Sequence, residues 1–484
     1  MEKQNKQEFP LSPGRAISPI DGRYHGKTKE LSDIFSEFAL MRNRVKAEVE
    51  YLIALDDIPR FGAKIVSTSG QLIIREIAAP ERLFLRELYL GFSDENFQAI
   101  KEFEKKTNHD VKAVEYFIKA KLSNTSLADI ARFVHFGLTS EDTNNLAYAF
   151  MLKEGVDMLY DNYALVAENI DKIAVNSRSV PTLGLTHGQS ASPTTLGWIM
   201  HVFTERIETR LAKIAKLELL VKWGGATGGN NALCVAYPEF DWRGFAKSFT
   251  EGFNIDSVRI LPFVYNEYTD QIEPHDTYAD IFDELKKANT ILISFAKNMW
   301  AYISREVFSQ KAIAGEIGSS TMPQKINPIN FENAEGNLGI ANALFEHFSA
   351  KLPDTRQQRD LSDSTVERYF GVAFSCTLIA LKSLNAGMSR LSVNHLHIYE
   401  ELDNRWEVIS EAYKIILERE GILEAYELMK ELTRGKKITK DLLHQFVDQT
   451  AKKYKLSDAI IMELKIITPH NYIGDREIFS SYES

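Results

Sequence analysis

A chain of 484 residues exceeds the roughly 250–300 at which single hydrophobic cores stop growing, so more than one domain is required. Its 26 glycines and 14 prolines amount to about 8% of the chain against a usual ~12%, which leans away from turn-rich β folds toward long helices. The net charge of −10 and pI near 5.7 exclude the basic footprint of a nucleic-acid binder, so any anionic ligand must be gathered by local cations.

Two cysteines, Cys234 and Cys376, cannot make a disulfide framework, and neither sits in a metal-binding spacing; no metal is expected. The N-terminal MEKQNKQEFP has no apolar signal region, and no run of about 18 apolar residues is evident. A soluble, cytoplasmic protein without membrane contact is the expectation. Breaks are expected at Leu122 to Leu127 (LSNTSL) and at Asp360 to Arg368. They divide the chain into a mostly helical N-terminal domain (1–128), a central long-helix bundle (129–368) and a helical C-terminal domain (369–484).

In chain order, the first informative segments are Thr107 to Phe117 (TNHDVKAVEYF) and Phe136 to Asn145 (FGLTSEDTNN), dense in side-chain donors and acceptors. Each could be a ligand site or a helix N-cap, and TSED reads as a capping sequence. Thr186 to Thr194 (THGQSASPT) holds His187 in a polar setting. A structural histidine and a ligand or proton-transfer role both remain open there, since an ordinary pKa of ~6.5 suits acid work near neutrality.

Residues 198–223 contain no glycine or proline and predict a long helix with Phe203, Ile207, Leu211, Ile214, Leu217 and Val221 on one face. RILPFVY around Ile260 reads as a short strand. Residues 275–314 also lack both breakers. There Ile281, Leu285, Ala288, Leu292, Phe295, Met299 and Tyr302 recur with a period near 3.5, the spacing that packs long helices side by side. A third long helical segment is predicted from Met388 to Glu420.

Gly315 to Glu332 (GEIGSSTMPQKINPINFE) crowds glycines, hydroxyls, Lys325 and Asn327 between helices. It is no P-loop, because GxxxxGK[ST] is absent. Its serines could be an activated hydroxyl or a capping device. Arg356 to Arg368 (RQQRDLSDSTVER) is either a solvated face or an anion clamp.

Taken together, the segments resemble the fumarase/aspartase superfamily, whose signature loop GSSxMPxKxNP is similar to GSSTMPQKINPINFE. Within it, SPIDGRY, TNHDVKAVEYF, LTSEDTNN, LTHGQSASPT, QIEPHD, RDLSDSTVER and ELDNRWEV resemble the branch that cleaves adenylosuccinate, from about Ser18 to Gly474. The resemblance implies a mainly α, three-domain fold with a central bundle. It implies β-elimination of fumarate from adenylosuccinate and from the succinyl-carboxamide ribotide, without metal or organic cofactor.

Carried over residue by residue, the resemblance makes Ser319 the general base and His187 the general acid. Lys325 and Asn327 would hold the succinyl carboxylates. Asn108, His109, Asp110, Thr139 and Ser140 would orient the base and the succinyl arm. Arg23, Tyr24, Arg359, Ser364 and Arg368 would contact the nucleotide, with Gln271 adding hydrogen bonds. It further implies a homotetramer whose sites are shared between subunits.

Two departures from the pattern stand out. Gln324 occupies a position often held by histidine, and glutamine there is also seen in the argininosuccinate-cleaving branch. Lys222 to Ala232 (KWGGATGGNNA) carries a glycine where asparagine is common. The alternatives are therefore another fumarate-releasing lyase, such as one acting on argininosuccinate, or a non-enzymatic structural relative.

Overall fold

The structure is a computed structural model that describes residues 12–57, 76–254, 260–312, 322 and 324–475. The site rests on helices α1 (Glu37–Asp57), α2 (Asp94–Thr107), α3 (Asp110–Leu122) and α4 (Ser140–Asn176), then strands β1 (Pro181–Thr186) and β2 (Gln189–Thr195). There follow α5 (Leu196–Ile214), β3 (Leu219–Val221), β4 (Phe263–Tyr265), α6 (Asp276–Ser304), β5 (Phe308–Gln310) and α7 (Ile329–Lys351). Last come α8 (Ser362–Glu367), α9 (Phe370–Met388), β6 (Leu391–Val393), α10 (Ser410–Arg419), α11 (Ala425–Thr433), α12 (Lys440–Tyr454) and α13 (Asp458–Ile466). The fold is mainly α, as expected. Among the described residues the strands form three separate two-stranded pairs.

The chain forms two compact units. One contains Met1–Tyr163, Thr209–Ile293 and Ala334–Lys382; the other contains Ala164–Glu208, Ser294–Asn333 and Ser383–Ser484.

In the first unit, Ile281, Leu285, Ala288 and Leu292 of α6 are buried, which the 3.5 period predicts. The longest helix among the described residues, α4, runs through Gly155 without interruption. A Cβ at Gly155 would stand 2.5 Å from the Phe35 ring and 3.1 Å from that of Phe374, so the glycine admits two aromatic rings against the helix. The expected strand near Ile260 is present over Phe263–Tyr265, in parallel register with Leu219–Val221.

In the second unit the C-terminal helices share one core. Trp406, Tyr413, Leu417, Met429, Leu443, Val447 and Leu464 are its larger members, with Leu183 of β1 packed among them. Thr439 and Ser457 cap α12 and α13 through their hydroxyls, which accept from the N–H groups of Leu442 and Ile460.

Three expectations need correction. The helix predicted to run on to Val221 ends at Ile214, after which Leu219–Val221 leaves to pair as β3. The run from Met388 to Glu420 is not one helix. Leu391–Val393 is captured by β5 in antiparallel register with Phe308–Gln310, and the chain re-enters helices at His395–Asp403 and at α10. Finally, residues 362–388 include a stretch long and apolar enough to cross a membrane by composition, contrary to the expectation of none. Of that stretch, 72% is buried inside the protein, as in the core helix of a globular protein.

Candidate active site

The first unit assembles most of the predicted ligand-contacting residues around α1, α3, α4 and α8. Asn108 ends α2 in the left-handed conformation (φ 51°), which turns the chain directly into α3. His109 is the N-cap of α3, its Nδ1 accepting from the Lys112 N–H at 3.2 Å, while its side chain stays half exposed. Asp110, the first residue of α3, lies 2.9 Å from Arg44 Nη2 and 3.5 Å from Arg368 Nη2. Burial pushes the Asp110 carboxyl up, but the charge of Arg44 and the Val111 N–H prevail and hold it below the ordinary range.

Thr139 and Ser140 start α4. The Thr139 N–H donates to Asp142 Oδ2 at 2.8 Å, so the capping reading of TSED holds in this half. Asp142 does more than cap. Its Oδ1 also accepts from Lys222 Nζ at 2.6 Å and from Gly224 N–H at 2.8 Å, joining FGLTSEDTNN to the glycine-rich segment.

Arg359 lies in the turn before α8, with its guanidinium framed on three edges. Nη2 is 2.9 Å from Glu141 Oε1, Nη1 donates to Gln271 Oε1 at 3.4 Å, and Nε stands 3.4 Å from Asp363 Oδ2. The RQQRDLSDSTVER segment is therefore no solvated face at Arg359. Arg356, by contrast, is exposed. Ser364 follows Asp363 within α8 and is partly buried. Arg368, at the end of α8, lines a pocket of about 280 Å³ with Ser18, Asp21, His25 and Lys29 of the N-terminal segment. Arg23 and Tyr24 sit in the turn of that segment, Tyr24 N–H donating to Pro19 O at 2.8 Å.

Several residues here were not singled out from sequence. Arg44, Glu141 and Asn144 tie the pieces together: Arg44 Nε donates to Asn144 Oδ1 at 2.8 Å, and Asn144 Nδ2 donates to Glu141 Oε1 at 2.6 Å. The available signal was Arg44 and Glu48 standing at i, i+4 on the apolar stripe of α1, beside Leu40, Met41, Val45 and Leu52, where a charge requires a partner. Glu48 finds its partners in His135 Nδ1 at 2.6 Å and the Thr143 hydroxyl at 2.8 Å. Burial opposes charge on His135, yet Glu48 prevails and raises the imidazole pKa.

Glu367 of α8 is buried, and its carboxyl is driven well above the ordinary range by burial, with Glu141 and Asp363 adding negative charge. Glu367 Oε1 is 3.9 Å from Nε2 of His275 in the QIEPHD segment.

The second unit holds the proposed acid. His187 and Gly188 occupy the tip of the β1–β2 hairpin, both in the left-handed region (φ 53° and 71°), the geometry of a two-residue type I′ turn. The hairpin leaves His187 exposed at its tip. The second half of the signature loop leads into α7. Gln310 Nε2 of β5 donates to Ile326 O at 3.0 Å and so fastens the backbone between Lys325 and Asn327. Lys325 is exposed, and its N–H donates to Met322 O at 3.1 Å. Ser319 lies outside the described residues. Among the described residues no group of three or more His, Cys, Asp or Glu is arranged to hold a metal.

A family described as Lyase matches residues 22–341, and one described as Adenylosuccinate lyase C-terminal matches residues 355–473. The chain is 44% identical over 468 residues to the adenylosuccinate lyase of Dictyostelium discoideum, covering 95% of this chain and 96% of that protein. The chain belongs to the adenylosuccinate lyase family. The family's adenylosuccinate lyase from Escherichia coli K12 is 43% identical over 472 residues, covering 96% of this chain and 97% of that one. Two solved structures share the fold: a fumarate lyase from Mesorhizobium sp. BNC1 and the 3-carboxy-cis,cis-muconate lactonizing enzyme of Pseudomonas putida. The first has a TM-score of 0.72 at 17% identity and covers 98% of this chain and 99% of its own. The second has 0.69 at 19%, covering 94% and 96%. Membership in the family makes the chain a lyase and places it in purine biosynthesis.

Proposed function

We propose that this protein eliminates fumarate from adenylosuccinate to give AMP, and from the succinyl-carboxamide ribotide to give the carboxamide ribotide. The single observation that carries the reading is the 43–44% identity with adenylosuccinate lyases over nearly the whole chain. That breadth disfavours both an argininosuccinate-cleaving enzyme and a non-enzymatic relative.

The chemistry needs a base for the weakly acidic proton beside a carboxylate, a hole for the dianionic intermediate and an acid for the departing nitrogen. Ser319 is the base. His187 is the acid, and its exposure at the tip of the β1–β2 hairpin supports that role. Lys325 and Asn327 hold the succinyl carboxylates. Asn108, His109, Asp110, Thr139 and Ser140 orient the succinyl arm and the base. Arg23, Tyr24, Arg359, Ser364 and Arg368 take the nucleotide, with Gln271 beside Arg359.

The same proposal includes a cytoplasmic homotetramer with sites shared between subunits, and the three-domain division at 128 and 368. Parallel assays with adenylosuccinate and argininosuccinate test the assignment. Turnover of the second with none of the first would overturn it.

A further inference from the structure

Four of the residues assigned to substrate, Arg368, Asp110, Arg359 and Gln271, come from three distant parts of the sequence, yet one unbroken polar chain joins them. It runs from Arg368 to Asp110 (3.5 Å), to Arg44 (2.9 Å), to Asn144 (2.8 Å), to Glu141 (2.6 Å), to Arg359 (2.9 Å) and on to Gln271 (3.4 Å). Its ends reach solvent, with 48% of the Arg368 side chain exposed. Its middle does not: Arg44, Glu141 and Asn144 are 1%, 2% and 7% exposed.

Arg44, Glu141 and Asn144 cannot be explained as ligand contacts, because protein surrounds them. Their geometry nevertheless constrains the groups that can touch a ligand. The guanidinium of Arg359 is planar, and holding Nη2 on Glu141 and Nη1 on Gln271, with the Asp363 carboxylate 3.4 Å from Nε, fixes that plane. One N–H on each terminal nitrogen is left for an anion, which is a forked donor held in advance of binding. At the other end Arg44 takes one oxygen of Asp110, while the Val111 N–H takes the other at 2.9 Å. Between the two ends of the chain, Asn144 is the only uncharged member. It accepts from one side and donates to the other, so its amide must keep a single orientation for both bonds to exist.

We propose that Arg44, Asn144 and Glu141 are positioning residues that lock Asp110 and Arg359 into one binding-ready geometry, coupling the two ends of the ligand site. This inference rests on the functional reading above and specifies how that site is pre-organised. Ordering Arg359 before binding removes a cost that would otherwise fall on affinity, so the effect should lie in KM rather than kcat.

The test uses the full-length protein with adenylosuccinate, and calorimetric binding of AMP as a second readout. Asn144→Ala should raise KM about tenfold and leave kcat within about threefold. Arg359→Lys and Asp110→Asn should combine non-additively in the otherwise unaltered protein, by at least about threefold, and become additive within about twofold once Asn144→Ala is present. Where Asn144→Ala does not yield folded protein, Glu141→Gln keeps the shape and should raise KM by about threefold or more with kcat within about twofold. Active, AMP-binding protein in which these variants leave KM unchanged, or in which the two end substitutions are additive from the start, overturns the relay alone. Unaltered protein that neither turns over adenylosuccinate nor binds AMP overturns the functional reading and the relay with it.

Discussion

The ammonium of Lys222 lies 2.6 Å from the carboxylate of Asp142, and both side chains are fully withdrawn from solvent. Lys222 also donates to Gly225 O at 2.9 Å, while Asp142 accepts from Thr139 and Gly224. With these neighbours the pair organises the start of α4 together with the glycine-rich segment, next to Thr139 and Ser140. Removing one partner strands the other charge in a fully buried site. Lys222→Met should therefore cost about 3–5 kcal/mol in denaturant unfolding. Adding Asp142→Asn removes the stranded charge and should recover part of that loss. A loss below about 1 kcal/mol for Lys222→Met would show that the pair does not hold the segment.

Glu273 and His275 titrate in opposite senses within one buried loop, the Glu273 carboxylate accepting from the His275 N–H at 2.7 Å. Burial raises the Glu273 carboxyl to about 7 and lowers the His275 imidazole to about 4. Glu273, raised, contributes stability that is present below its ordinary value near 4.5 and lost as pH rises through about 7. His275, depressed, contributes stability that is present above its ordinary 6.5 and lost as pH falls through about 4. Between those limits the two slopes oppose each other and largely cancel. Glu273→Gln removes one of them, so its stability should fall by about 3 kcal/mol between pH 7 and pH 4 relative to the unaltered protein. Parallel pH profiles for the two proteins would contradict the assignment.

Gly155 occupies a helix interior where alanine would ordinarily gain about 1 kcal/mol. Here the added Cβ meets Phe35 and Phe374, two rings already in contact with centroids 4.6 Å apart. Gly155→Ala should destabilise by about 1–3 kcal/mol, read as a lower thermal midpoint. A stabilised variant would mean that the rings move aside freely.

His187→Ala and Ser319→Ala should each lower the elimination rate by roughly 10²–10⁴ while circular dichroism stays unchanged. A change below tenfold removes that residue from the chemistry. Mixed after subunit exchange, the two inactive variants should regain activity, because a shared site can then draw each intact residue from a different copy. Verified exchange without recovery counts against shared sites.

The helical economy of the chain was legible because its cause is periodic: Ile281, Leu285, Ala288, Leu292, Phe295 and Met299 repeat on one face and are all buried. Where tertiary contacts decide, the pattern misled. Nothing local marks Leu391–Val393 as a strand; its pairing with Phe308–Gln310 makes it one. Nor does anything local explain Gly155 inside a helix, since the two rings that require it lie far away in sequence. The segments proposed to face the ligand stand out in the sequence as polar interruptions of periodicity. Arg44, Asn144 and Glu141 do not, since a lone arginine in an apolar stripe and two polar residues in a capping sequence acquire meaning only when the fold places them 2.6–2.9 Å apart or from their partners.

The most direct measurement incubates the purified protein with adenylosuccinate and quantifies both products. Fumarate and AMP are expected in equal amounts, with production abolished or reduced at least about a hundredfold by His187→Ala. Folded protein that leaves adenylosuccinate intact, or that releases AMP without fumarate, would contradict the proposed elimination.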